Sequence, residues 1–226
     1  MDVRAILFDL DGTLLDTLDD IADAANAVLE AGGFPTHPTA DFRRFIGEGV
    51  AVLFRRALPQ GAADAEPELV ARCVARFQVE YGERWHVKSR PYDGIPELLD
   101  ALTARGLTLG LLSNKPDDFT RRYGEHYLAR WPFRVVLGAR EGVPRKPDPT
   151  SALEVAARLG LPPAAIVYVG DSAVDVETAV RSGMIPVGVS WGFRPVEELR
   201  AAGARMILDR PHDLLGWLER HGGTPG

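Results

Sequence analysis

Two aspartates, Asp9 and Asp11, follow directly on the apolar run "VRAILF" near the start of the chain. Aspartate is a poor strand residue and costly to bury unpaired, so the placement suggests a demand that folding alone does not make. Similar polar groups recur beside other apolar runs. Ser113, Asn114 and Lys115 stand at the end of "LTLGLLS", Asp171 and Ser172 follow "AIVYVG" with Asp175 one helical turn further, and Lys146 sits in "RKPDP". Brought together, four carboxylates, two hydroxyls and two lysines would form one acidic, lysine-flanked site. So many carboxylates repel one another unless a cation sits among them. Hard oxygen ligands with few nitrogens or sulfurs favour Mg²⁺, and a lysine-flanked magnesium site suits the handling of phosphate.

Convergence of this kind needs a particular set of elements. From about residue 89 onward the sequence alternates helical periodicity with short apolar runs, the pattern of βαβ units. The runs are "LTLGLLS" (107–113), "FRVVLG" (133–138), "AIVYVG" (165–170), "IPVGVS" (185–190) and "ARMILD" (204–209), joined by "VRAILF" (3–8). Their continuous apolarity predicts strands covered on both faces, hence an α/β fold with a Rossmann-like parallel sheet and helices on either side. In such a sheet ligands bind beyond the carboxyl ends of the strands, where the polar residues above would lie. "IPELLDALTARG" places Ile95, Leu98, Leu99 and Leu102 on one helical face before Gly106, and "PTSALEVAARLG" stops in the same way at Gly160.

The stretch after the first strand breaks this rhythm and reads as helical. In "TLDDIADAANAVLEAGG", Leu18, Ile21, Ala25, Val28 and Leu29 recur at helical spacing before Gly32, Gly33 and Pro35. "TADFRRFIGEGVAVLFRRAL" reads as two short helices around "GEG", and "EPELVARCVARFQVEYGERW" as another with Val70, Val74, Phe77 and Tyr81 aligned. The expected organisation is a catalytic core of residues 1–15 and 89–226, with a small α-helical cap domain of residues 16–88 inserted after the first strand. The tail "HGGTPG" is expected to fray.

Composition narrows the partners. Hydrophobic residues make up 46% and charged residues 26%, an ordinary globular balance that argues against disorder. A formal net charge of −6 offers no general attraction to nucleic acid or an anionic membrane, so an anionic substrate would need a local positive pocket. The lone cysteine, Cys73, excludes an intramolecular disulfide and reads as a small buried apolar residue. "AILF" is cut off by Asp9 and no run reaches the ~18 apolar residues of a membrane span, so a cytoplasmic location is expected. The five histidines, His37, His86, His126, His212 and His221, show no metal spacing, and neither a P-loop, a dinucleotide fingerprint nor a nucleophile elbow occurs.

Bland readings exist for the polar residues. A helix cap needs one aspartate rather than two, and an EF-hand fails because Gly12 comes too early and a strand-like run precedes it. Asp171 could cap the next helix, Asp175 could be a solvated helix carboxylate, and Lys115 could be a strand-end solvent group. The ordered set "FDLDGTLLDT", "LLSNK", "RKPDP" and "VGDSAVD" nonetheless resembles the haloacid dehalogenase-type phosphohydrolases. The resemblance spans most of the chain. It implies that Asp9 is a nucleophile and Asp11 a general acid/base, with an aspartyl phosphate formed on Asp9. It further implies Mg²⁺ on Asp9, Asp171 and the main-chain carbonyl of Asp11, with Asp175 and Thr13 behind these ligands. Ser113, Asn114 and Lys146 would bind the phosphoryl group.

Within that family, "RRFIGEGVAVLFRRAL" together with "SRPYDGI" is similar to phosphoglycolate phosphatases. Gly47 and Gly49 would let backbone N–H groups approach a small anion, and Arg44 would meet a substrate carboxylate. A plain break between helices and a surface arginine are the competing readings. The expected function is therefore a Mg²⁺-dependent phosphatase acting on a small anionic phosphorylated metabolite, foremost 2-phosphoglycolate, as a monomer or homodimer. Alternatives are a sugar-phosphate or pyrophosphate phosphatase, a mutase resembling β-phosphoglucomutase, and a non-catalytic interaction protein. Contacts of Lys115, Arg145 and Arg194 with substrate are left open.

Overall fold

The computed structural model describes residues 2–221. Residues 222–226, on which most of the expectation of a frayed tail falls, lie outside that range. The chain forms two compact units, one holding the chain up to Leu15 and again from Pro91 onward, the other Asp16–Arg90. It begins with β1 (Ala5–Phe8) and β2 (Leu15–Asp16), and continues through α1 (Leu18–Ala31), α2 (Phe42–Phe45), α3 (Val50–Ala57), α4 (Ala62–Ala65) and α5 (Leu69–Arg84). After β3 (Arg90–Pro91) come α6 (Ile95–Ala104), β4 (Thr108–Pro116), α7 (Asp117–Tyr127), β5 (Phe133–Ala139) and α8 (Thr150–Leu159). The last elements are β6 (Ile166–Gly170), α9 (Ala173–Ser182), β7 (Ile185–Val189), α10 (Val196–Ala201), β8 (Met206–Leu208) and α11 (Asp213–His221).

All six apolar runs read as strands belong to one parallel sheet, in the order β5-β4-β1-β6-β7-β8. Ala5, Ile6, Leu7 and Phe8 are all buried, because both faces of β1 are covered. One face packs Ala5, Leu7, Leu112, Val135, Leu137 and Tyr168 against Ala152, Val155 and Ala156 of α8 and Ala179 of α9. Each fully buried Leu or Val there contributes about 1.5–3 kcal/mol relative to exposure. The chain moves outward from β1 through β4 to β5, then returns to β6 on the other side of β1 and moves outward again. That reversal sets the carboxyl ends of β1, β4 and β6 side by side at a topological switch point.

Two differences from the sequence reading have local causes. β4 runs on through Ser113, Asn114 and Lys115 to Pro116, with a register shift before Pro116 meets Ala139 of β5, so these polar residues end the strand rather than follow it. The helical unit also extends two residues past the expected boundary at 88/89. Its α1 carries a buried Asp20 whose carboxylate accepts hydrogen bonds from the N–H groups of Lys88 (3.0 Å) and Ser89 (2.8 Å), which fastens that segment to α1.

Within the helical unit α1 and α3 both pack on α5. α5 buries Val70, Cys73, Phe77 and Tyr81, so Cys73 takes the inward position that periodicity gave to Val74. Phe77 stacks on Tyr81 at 5.0 Å and meets Phe54 of α3 edge-on at 5.9 Å. Among the described residues no helix is long and apolar enough to cross a membrane.

Candidate active site

The end of β1 is pinned by the Asp9 N–H, which donates to the Val169 carbonyl of β6 at 2.9 Å. The chain then folds into a tight turn in which the N–H groups of Thr13, Leu14 and Leu15 all point at the Leu10 carbonyl. Gly12 adopts φ +86°, and a Cβ there would lie 2.2 Å from Asp171 Oδ2, so only glycine allows the two segments to approach. The turn leaves Asp9 buried and Asp11 half-buried.

Lys146 enters from the loop before α8. Its Nζ donates to Asp9 Oδ1 at 2.7 Å, Asp175 Oδ1 at 2.6 Å and the Leu112 carbonyl at 3.2 Å. The side-chain amide of Asn114 holds the backbone of this lysine from both sides: Asn114 Nδ2 donates to the Lys146 carbonyl, and the Lys146 N–H donates to Asn114 Oδ1, each at 3.0 Å. Asp175, on the first turn of α9, accepts from the Ser172 hydroxyl at 2.6 Å and the Ser172 N–H at 3.2 Å. The start of α9 is thus capped by Ser172 with Asp175, which removes the reading of Asp171 as the cap. Asp171 Oδ2 instead accepts from the Phe193 N–H at 2.7 Å.

Asp9, Asp171 and Asp175 each offer a carboxylate oxygen within 4.8 Å of the others, and all three are buried. Burial, with Asp175 and Asp11 adding to it against the pull of Lys146, pushes the Asp9 carboxyl up to about 7. Burial, then Asp175 and Asp9, push Asp171 well above the usual carboxylate range. Burial opposes the Lys146 ammonium, but Asp175 and Asp9 outweigh it and hold its pKa well above the ordinary lysine value. Three crowded carboxylates against one buried ammonium leave negative charge that a divalent cation would offset. The donor set, carboxylate oxygens without sulfur or imidazole, fits a hard ion.

Asp11 lies outside that cluster of carboxylates. Its two oxygens face Lys115 Nζ at 3.1 and 3.2 Å, and the same ammonium lies 4.9 Å above the ring of Tyr123. Ser113 Oγ, also buried, accepts from the Lys115 N–H at 3.2 Å.

Residues 6–189 match the family described as haloacid dehalogenase-like hydrolase. The chain belongs to that family. A phosphoglycolate phosphatase of Thiobacillus denitrificans is 36% identical over 202 residues, 87% of this chain and 88% of that one. An N-acetylmuramic acid 6-phosphate phosphatase of Pseudomonas aeruginosa is 32% identical over 225 residues, 97% of this chain and 96% of that one. Among solved structures, a predicted phosphoglycolate phosphatase from Haemophilus somnus superposes with a TM-score of 0.88 at 28% identity, over 96% of this chain and 98% of that one. The hydrolase is phosphoglycolate phosphatase-like in sequence and fold.

In this haloacid dehalogenase-like hydrolase, Asp9, Asp11, Ser113, Asn114, Lys115, Lys146, Asp171 and Asp175 gather at one end of the sheet. Asn114, expected to touch substrate, turns its amide to the Lys146 backbone. Thr13 is fully buried, and its Oγ1 has no hydrogen-bond partner among the described residues. Arg44, Gly47 and Gly49 belong to the helical unit. Arg44 is exposed and pairs with Asp41 at 2.8 Å, while Gly47 (φ +117°) and Gly49 (φ +95°) bracket Glu48, which pairs with Arg56. Arg145 is exposed, and Arg194 Nε lies 3.9 Å from Glu198.

Sequence reasoning missed two contributors. The loop after β7 brings Gly192 so close to the site that a Cβ there would lie 2.2 Å from the Asp171 Cβ, and it supplies the Phe193 N–H. A backbone donor has no side-chain signature, and only the glycine directly after "IPVGVSW" hinted at it. Tyr168, inside an apolar run, places its hydroxyl 3.4 Å from Asp175 Oδ1.

Proposed function

We propose that this hydrolase is a Mg²⁺-dependent phosphatase that cleaves a small phosphate monoester through an aspartyl phosphate on Asp9, with 2-phosphoglycolate as the leading substrate. The observation that carries the reading is the buried set of Asp9, Asp171 and Asp175 around the Lys146 ammonium. Asp9, Asp171 and the main-chain carbonyl of Asp11 would hold the metal, with Asp175 and Thr13 behind them. When bound, the ion supplies positive charge that lets an anionic nucleophile meet an anionic phosphate.

Lys146 draws the Asp9 carboxyl toward its charged form against the effect of burial, and aims it. An Asp9 oxygen attacks phosphorus, the P–O bond to the leaving group breaks, and Asp11 gives its proton to the departing oxygen. Water then attacks the phosphorus of the aspartyl phosphate and passes its proton to the Asp11 carboxylate. The P–O bond to Asp9 breaks, and inorganic phosphate leaves. Ser113 and nearby backbone N–H groups hydrogen-bond the phosphoryl oxygens, while Asn114 acts through Lys146 by fixing its backbone. The helical unit carries the remaining candidate substrate residues, Gly47 and Gly49 of the "GEG" turn and Arg44.

Likeness to phosphoglycolate phosphatases across almost the whole chain supports the substrate choice. A sugar phosphate is the second reading, favoured by the likeness to the N-acetylmuramic acid 6-phosphate phosphatase. The test is a panel of phosphate esters assayed with Mg²⁺, then with a chelator, then with Mg²⁺ restored. Hydrolysis of 2-phosphoglycolate that chelation abolishes and Mg²⁺ recovers is the expected result. Turnover indifferent to chelation would overturn the metal assignment, and a clear preference for sugar phosphates would select the second reading.

A further inference from the structure

We infer that Lys115 is a specificity-determining residue that selects phosphate esters whose leaving group carries a carboxylate one carbon from the ester oxygen. The inference rests on the phosphatase reading above and sharpens its substrate class. The site holds two buried lysines with separate duties. Lys146 is engaged by Asp9, Asp175 and the Leu112 carbonyl, on the side of the attacking oxygen. Lys115 faces Asp11, at 3.1 and 3.2 Å from its two oxygens, on the side where the leaving oxygen receives its proton.

An ammonium on a side chain only 6% exposed is costly without polar partners, and here the two oxygens of Asp11, on a side chain 13% exposed, face it. The ammonium also lies over the ring of Tyr123, itself fully buried, at 4.9 Å from its centre. A leaving oxygen within reach of Asp11 is therefore also close to Lys115 Nζ. In an α-phosphoryloxy carboxylate a single carbon separates the ester oxygen from the carboxylate, so the anion would fall within hydrogen-bond reach of that ammonium. A neutral alcohol, or a sugar acid whose carboxylate lies several bonds from the phosphate, would not profit. In a poorly solvated site the charge-assisted contact is stronger than in water.

The experiment compares 2-phosphoglycolate with 2-hydroxyethyl phosphate, in which a neutral hydroxymethyl group replaces the carboxylate, using the full chain with Mg²⁺ and reading the ratio of the two kcat/KM values. Wild type is expected to favour 2-phosphoglycolate. Lys115→Met should lower that ratio by about 10- to 100-fold, chiefly through the KM for 2-phosphoglycolate, as expected for one lost charge-assisted hydrogen bond. Lys115→Arg, which retains the charge, should keep most of the preference. If Lys115→Met does not fold, as judged by circular dichroism, Lys115→Gln gives the same reading. A ratio unchanged by removal of the charge means that Lys115 acts only through Asp11, and the proposal falls. A wild type that hydrolyses both esters equally overturns the inference while leaving the phosphatase reading intact. A wild type that hydrolyses no phosphate ester overturns both.

Discussion

Asp20 in the helical unit and Asp9 in the sheet unit are both buried carboxylates, at 1% and 6% exposure, yet their surroundings are opposite. Asp20 accepts from the N–H groups of Lys88 and Ser89 and from the Ser89 hydroxyl, at 2.7–3.0 Å. These uncharged donors make the carboxylate part of the scaffold. Asp9 instead lies against Asp171 and Asp175, and its charged partner Lys146 is divided between two carboxylates. Burial alone therefore does not mark function. A carboxylate kept among like charges, where folding gains nothing from the crowding, does so far better.

The largest effect expected from this contrast is on turnover. Asp9→Asn should lower kcat by about 10³-fold or more, since the amide cannot act as the nucleophile. Its unfolding midpoint in chelator should be unchanged or higher, because one of three crowded charges is gone. Asp20→Ala should do the reverse. It removes the acceptor that the N–H groups of Lys88 and Ser89 share, and should cost about 2–4 kcal/mol of stability. Urea titration read beside steady-state kinetics separates the two outcomes. If Asp20→Ala were as stable as wild type, or Asp9→Asn were strongly destabilised, the contrast between scaffold and site would fail.

The same contrast explains what could be read from the sequence. The six strands were legible because burial on both faces makes each an unbroken apolar run, a purely local signal. The polar residues at the strand ends were legible as a set, since strand order alone puts the ends of β1, β4 and β6 together. The pairing among them was not. Asn114 fixes a backbone 32 residues further along, and the amide carries no mark of that partner. Lys115 reads equally as a strand-end solvent group and as a site residue, because its relation to Asp11 spans 104 residues and arises only from the sheet. Asp20 passed unnoticed among Asp19 and Asp23 on an amphipathic helix, where one acidic position looks like another. The extension of β4 to Pro116 escaped because its last residues are polar, although pairing with β5 continues.

The smallest effect is the most direct probe of the crowding. Without metal, burial holds the Asp9 carboxyl at about 7, against 3.8 for the unperturbed group. Between those values the native state keeps a proton that the unfolded chain has released, so the contribution of Asp9 to stability falls as pH rises from about 4 to about 7, while Asp117, Asp148 and Glu154, held below the usual carboxylate range by their hydrogen-bond partners, contribute in the opposite direction at the acid end. One proton of difference corresponds to a slope of about 1.4 kcal/mol per pH unit, and Asp171, shifted in the same direction, adds to it. A cation among the three carboxylates favours their charged forms and should flatten the slope while raising the midpoint. Asp9→Asn should remove part of the slope in chelator and weaken the response to Mg²⁺, whereas Asp20→Ala should lower stability in chelator and in Mg²⁺ alike. Thermal melts across this pH window, with chelator and with Mg²⁺, read all three. A wild-type slope in chelator that Asp9→Asn leaves unchanged would mean that the carboxylates are satisfied without a metal, and would remove the physical reason for placing an ion there.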